Sequence, residues 1–139
     1  MFQSLGKYDK AREYQEKALA IRIEIGDRKG QAASYGNLGT LFQSLGKYDK
    51  ALEYQEKALA ISIEIGHRQG EATSYGNLGA MFGMLGEHDK AQECLNTALL
   101  IAKRIGCRRI EANMYGNFAG LFLSQIGRAS CRERVCQYV

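Results

Sequence analysis

Ser34-Tyr35-Gly36-Asn37-Leu38-Gly39 is the stretch whose reading decides the fold. It returns as Ser74-Tyr75-Gly76-Asn77-Leu78-Gly79 and, altered, as Met114-Tyr115-Gly116-Asn117-Phe118-Ala119, spaced by 40 residues each time. The repetition spreads outward from there. Residues 1–30 match residues 41–70 at 25 of 30 positions, and residues 31–70 match residues 71–110 at 20 of 40. A fixed period of this length marks an array of supersecondary units, each of which buries its apolar face against its neighbours.

Each unit reads as two helices. Ala32, Tyr35, Leu38, Gly39, Phe42 and Leu45 step by three and four residues and share one helical face. Gly46 then breaks the helix, since glycine takes the left-handed conformation that ends helices. Tyr48, Ala51, Tyr54, Ala58, Ile61 and Ile65 form the stripe of the second helix, and Leu52, Leu59 and Ile63 add another. Two stripes fit a helix packed on its own partner and on the next unit. Asp49 falls in the first turn, at the positive end of the helix dipole. Gly66 ends the second helix. At Gly26-Asp27 the glycine stops one helix and the aspartate can cap the next, whereas His67 and Cys107 at the matching sites are poorer caps. Helices are expected over 8–25, 28–45, 48–65, 68–85, 88–105 and 108–125. Loops of two or three residues make neighbours antiparallel and leave no room for a sizeable catalytic loop.

Tyr35, Leu38-Gly39, Phe42, Gly46-Lys47-Tyr48, Ala51 and Ala58 resemble the tetratricopeptide repeat, as do Tyr75, Leu78-Gly79, Phe82, Gly86-Glu87-His88, Ala91 and Ala98. The pattern covers about residues 1–125. It departs from the family in lacking the proline after the second helix and in its period of 40 rather than ~34 residues. This is similar to the 40-residue subclass found in Leu-Gly-Asn-repeat adaptors and in arrays attached to nucleotide-binding or caspase-like signalling domains. The resemblance implies an all-α, right-handed superhelix of antiparallel helix pairs. Its first helices would line a concave groove that binds a peptide segment of a partner protein. The expected function is therefore a protein–protein interaction scaffold in the cytoplasm, not an enzyme. The alternatives are a regulatory or sensor arm of a larger signalling enzyme, or a structural spacer.

Composition agrees with this and excludes other classes. The chain of 139 residues is 45% hydrophobic and 24% charged, as soluble folded proteins are. No apolar run approaches the ~20 residues that span a bilayer, so no membrane partner is expected. Its net charge of +4 is spread along the chain. Lys103-Arg104 and Arg108-Arg109 form a short basic cluster without aromatic platforms, so no nucleic acid is expected. His67, His88, Cys94 and Cys107 are too few and scattered for a zinc site. No phosphate loop and no nucleophile–base constellation appears, so no cofactor is expected. Cys94, Cys107, Cys131 and Cys136 are confined to the last third of the chain and are read as reduced thiols.

If the apolar stripe packs inward, another face of the first helix must show. Ala33, Gly36, Asn37, Thr40, Gln43 and Ser44 share it, followed by Thr73, Gly76, Asn77, Ala80, Gly83 and Met84, then Asn113, Gly116, Asn117, Gly120, Leu123 and Ser124. The peptide-binding groove is assigned to Asn37, Asn77, Asn117, Thr40, Gln43, Thr73 and Asn113. Asparagine is a poor mid-helix residue, because its amide competes for backbone hydrogen bonds. A ladder of Asn37, Asn77 and Asn117 could engage an extended peptide backbone or brace neighbouring helices. Mid-helix Gly36, which costs about 1 kcal/mol relative to alanine, implies close approach by a neighbouring helix or by a ligand. Some relatives place arginine where Ala33, Thr73 and Asn113 stand, to grip acidic peptides. That ladder is missing here.

The array divides into a partial unit 1–30, complete units 31–70 and 71–110, and a partial unit 111–125. From Ile126 the pattern stops. Residues 126–139 resemble the conceptual translation of a common sequencing-adapter oligonucleotide and are expected to be non-native. With incomplete units at both ends, α-helical surfaces such as Phe118, Leu121 and Phe122 should be exposed, and self-association through uncapped ends is expected.

Overall fold

The computed structural model describes the backbone of residues 2–137 and the side chains of residues 6–127. Six helices follow in order: α1 (Phe2–Glu24), α2 (Arg28–Ser44), α3 (Tyr48–Glu64), α4 (Arg68–Met84), α5 (His88–Ile105) and α6 (Arg108–Gln137). Two 17-residue helices and two three-residue turns account for the 40-residue period. The architecture is an all-α solenoid of antiparallel helix pairs.

All five turns are built alike. Gly26, Gly46, Gly66, Gly86 and Gly106 each take a positive φ between 70° and 82°. At the Gly46 turn the Gly46 N–H donates to the Gln43 carbonyl (3.0 Å) and the Lys47 N–H to the Phe42 carbonyl (2.9 Å). These two bonds satisfy carbonyls that the end of α2 leaves open, and the left-handed residue they require is cheap only for glycine. Asp27 caps α2 by accepting from the Gly30 N–H at 2.9 Å. Lys47, His67 and Glu87 provide no side-chain cap.

Two helix ends differ from expectation. Helix α1 begins at Phe2 rather than at residue 8 and runs through Gly6, the counterpart of Gly46. Gly46 ends a helix held on its neighbours, whereas a few residues before Gly6 cannot form a helix of their own. Helix α6 continues to Gln137 rather than ending at 125. Ile126 stands where Gly46 and Gly86 make the left-handed turn, and a β-branched side chain disfavours that conformation.

Contacts among the described residues link each helix to the next. The first helices of the pairs also touch one another, α2 with α4 and α4 with α6, whereas α1, α3 and α5 do not. The first helices thus form the inner side of the stack and the second helices fan outward. Phe42, Ala51, Leu78 and Met81 form one core where α2, α3 and α4 meet. Ala72, Ala91, Leu95, Ala98, Ile101, Ala102, Ile110, Met114 and Leu121 form the next. The alanines let backbones close in. A Cβ on Gly79 would lie 2.8 Å from Leu95 Cγ, and one on Gly39 would lie 2.8 Å from Gln55 Nε2.

The stripes need three corrections. Ile63 and Ile65 are exposed: Ile63 lies in the last turn of α3 and Ile65 is the residue that follows its end. Leu121 is buried rather than open at the end of the array, because Gly83 on α4 leaves the space it fills. Phe118 is half-buried and stacks on Phe122 with ring centroids 6.4 Å apart; Phe122 is exposed as expected. Cys131 and Cys136 lie outside the described side chains. Cys94 and Cys107 are free thiols.

Candidate functional site

The inner side of the stack carries three adjoining cavities. One of about 470 Å³ lies between α2 and α4, lined by Asn37, Thr40, Thr73 and Asn77 over a floor of Gln55, Ala58 and Ser62 from α3. A second of about 470 Å³ lies between α4 and α6 and shares Thr73 and Asn77 with the first, adding Asn113 and Asn117. The third, about 230 Å³, shares Asn117 and is lined by Ala80, Gly83 and Met84 above Leu95 and Leu121. Shared residues join them into one groove along the first helices. Gln43 lies outside all three; its amide meets Met84 Sδ at 3.6 Å near the end of α2.

Helix geometry explains this lineup. Asn37 and Thr40 are three residues apart, as are their counterparts in the next helices, so they stack on one face. Leu38 and Phe42 are buried on the other side, and the buried Ala32 lines the first cavity. Thr40 and Thr73 each donate back to a carbonyl of their own helix, Gly36 at 3.1 Å and Gln69 at 3.0 Å. Their oxygens keep accepting capacity toward the groove.

The asparagines differ in what they hold. The Asn77 amide donates to Gln55 Oε1 at 3.4 Å, and Gln55 Nε2 donates to the Gly36 carbonyl at 3.1 Å. Gln55 is 1% exposed, so this chain ties α2, α3 and α4 together beneath the groove. Asn37, Asn113 and Asn117 make no side-chain hydrogen bond among the described residues. Sequence reasoning missed Gln55. Its signal was the counterpart Leu95, which marks the position as inward-facing.

Gly36 serves no helix–helix approach: a Cβ there would meet nothing within 4 Å, and the same holds at Gly116. At Gly76 the added carbon would strike Met114 Cε at 2.5 Å, the mobile end of a flexible side chain. What Gly36 leaves open is groove.

Charge is sparse. Among the described residues, Lys29 and Arg109 are the lysine and arginine that line the cavities, with Gln69 at the matching position between them and His67 beside the first, and no carboxylate lines the three. The floor changes from an amide at Gln55 to an aliphatic side chain at Leu95, so the groove is more polar between α2 and α4 and more apolar toward Met84 and Leu121. Among the described residues no three metal-ligating side chains cluster, and no helix is long and apolar enough to cross a membrane.

Solved structures share this architecture. The TPR domain of Arabidopsis FLU is 25% identical, over 74% of this chain and 87% of that one, with a TM-score of 0.65. BtubC (BKLC) from P. vanneervenii is 26% identical, with a TM-score of 0.67; the match covers 96% of this chain and 58% of BtubC. No curated protein matches the sequence. Tetratricopeptide repeat models match residues 1–64 and residues 72–104. Sequence period, helix-pair solenoid and family models coincide, and the chain belongs to the tetratricopeptide repeat family.

Proposed function

We propose that this chain is a protein-interaction module that holds an extended segment of a partner protein along α2, α4 and α6. Repeats of this family mediate protein–protein interaction. The observation that carries the groove assignment is the lining of adjoining cavities by equivalent positions of successive helices, with the amides of Asn37, Asn113 and Asn117 uncommitted. An amide both donates and accepts, which is what an extended backbone asks for at each peptide unit. Lys29 and Arg109 are too few for a charge ladder, so recognition rests on backbone contacts and on side chains entering the cavities. The apolar end by Met84, Leu95 and Leu121 takes a hydrophobic residue of the segment.

The test is affinity capture of partner segments from a peptide library, followed by titration with Asn37→Ala and Asn77→Ala. Loss of one hydrogen bond is worth about 0.5–1.5 kcal/mol, roughly 2- to 10-fold in affinity. Asn37→Ala is the cleaner variant, because Asn77→Ala also strips a donor from Gln55. Full affinity of both variants for every captured segment would overturn the assignment.

A further inference from the structure

Beside each turn that joins a second helix to the next first helix, one spot is built alike and filled differently. At the α1–α2 junction Arg22 reaches across Gly30. Its Nη1 donates to the Gly30 carbonyl at 3.1 Å and to the Oγ of the buried Ser34 at 2.5 Å. Arg22 forms no ion pair among the described residues, so neutral oxygens alone hold its guanidinium. At the α5–α6 junction Ala102, Ile110 and Met114 stand in the places of Arg22, Gly30 and Ser34, and buried apolar side chains close the spot.

At the α3–α4 junction the acceptors stay and the arginine is gone. Gly70 and Ser74 repeat Gly30 and Ser34, while Ser62 takes the place of Arg22. A Cβ built on Gly30 would lie 2.9 Å from Arg22 Cδ, and one on Gly70 would lie 2.8 Å from Ser62 Oγ, so both side chains run against the same glycine. Ser62 is 2% exposed and Ser74 5%, and neither hydroxyl has a hydrogen-bond partner among the described residues. A hydroxyl so buried costs stability unless water or a ligand bonds it. Ser62, Gly70 and Ser74 all line the α2–α4 cavity. The space that Arg22 fills at its own junction is groove at this one.

We propose that this cavity takes an arginine side chain of the bound segment. Its guanidinium donates to the Gly70 carbonyl and to the Ser74 and Ser62 hydroxyls, as Arg22 does to Gly30 and Ser34. This site depends on a segment lying along α2 and α4, as proposed above, and it sets which side chain the polar half of the groove selects. A guanidinium spreads five donors over a planar fork, whereas a lysine ammonium is a compact, strongly hydrated charge that suits neutral oxygens less. Lys29 and His67 are the titratable groups of the lining among the described residues, and no carboxylate joins them. The arginine is thus held by hydrogen bonds against a small like-charge cost, much as Arg22 is held without an ion pair.

Two blocked single residues serve as probes, N-acetylarginine amide and N-acetylglutamate amide. Titrated into the full chain at millimolar concentration and followed by amide NMR, the arginine probe should shift Gly70 and Ser74, and the glutamate probe should leave them in place. Ser62→Arg supplies the guanidinium from within, and α1 already carries arginine at this place in a nearly identical helix. That variant should keep the parent's circular dichroism and lose the shifts. Lys29→Gln removes the like charge and should tighten the arginine probe. In the peptide-library capture, the parent chain should enrich arginine at one position, and Ser62→Arg should lose that preference. A stronger response to the glutamate probe, arginine shifts that survive Ser62→Arg, or captured segments without arginine preference would overturn the site. Weakened capture by Asn37→Ala would in that case still uphold the groove.

Discussion

Gly36→Ala and Gly79→Ala make the same chemical change in the middle of two equivalent helices, and the structure assigns them different outcomes. Each replaces glycine by the best helix former, a gain of about 1 kcal/mol. At Gly36 nothing opposes it, since the new carbon has no neighbour within 4 Å. At Gly79 the carbon would lie 2.8 Å from Leu95 Cγ, 2.9 Å from Leu95 Cδ2 and 3.2 Å from the Ala91 carbonyl oxygen. Leu95 is 1% exposed and is struck at its branch point, and Ala91 meets it with backbone, so neither yields without moving the core. Overpacking of this kind costs about 1–3 kcal/mol. Gly36→Ala should therefore stabilise the chain by about 1 kcal/mol, and Gly79→Ala should be neutral or destabilising by up to about 2 kcal/mol. Urea unfolding followed by helical circular dichroism, with equal slopes, measures both as midpoint shifts. Equal stabilisation by the two substitutions, or destabilisation by Gly36→Ala, would refute the reasoning. The stabilised Gly36→Ala chain carries a further expectation. Its methyl group occupies groove, so affinity for a captured segment should fall while stability rises.

Helix caps offer a second pair. Asp27→Ala should cost about 1 kcal/mol of stability and His67→Asp should add a similar amount, because only the first site now has a side-chain acceptor; thermal melts of the two variants would check this. Burial, and secondarily the neighbouring Glu93 carboxylate, holds the Cys94 thiol above its usual pKa. Its thiolate fraction is thus depressed near neutral pH, and site-resolved alkylation at Cys94 should gain speed at higher pH than in the unfolded chain. Identical pH profiles for folded and unfolded chain would contradict that.

What was legible in the sequence is what the period repeats. The helix pairs, the glycine turns, the Ala51 and Ala58 contacts and the groove positions of Asn37 and Asn77 all recur at fixed spacing, so each copy corroborates the others. What was hidden depends on partners distant in sequence. Gln55 reads as one more polar residue between Tyr54 and Glu56, yet it is the buried link between the Gly36 carbonyl and Asn77. Leu121 looks like an uncovered end residue until Gly83 of the preceding unit is seen to receive it. Gly36 and Gly39 look alike in sequence and differ wholly in surroundings: one faces open groove, the other the Gln55 side chain.

Among the described residues, every helix touches only its next neighbour, or the next-but-one on the inner side. Interfaces therefore lie in series, as links do. Tension between the two ends would load each interface with the full force, and the weakest would part while the rest stayed intact. Under a pulling force the chain should therefore lengthen in discrete steps, one interface at a time.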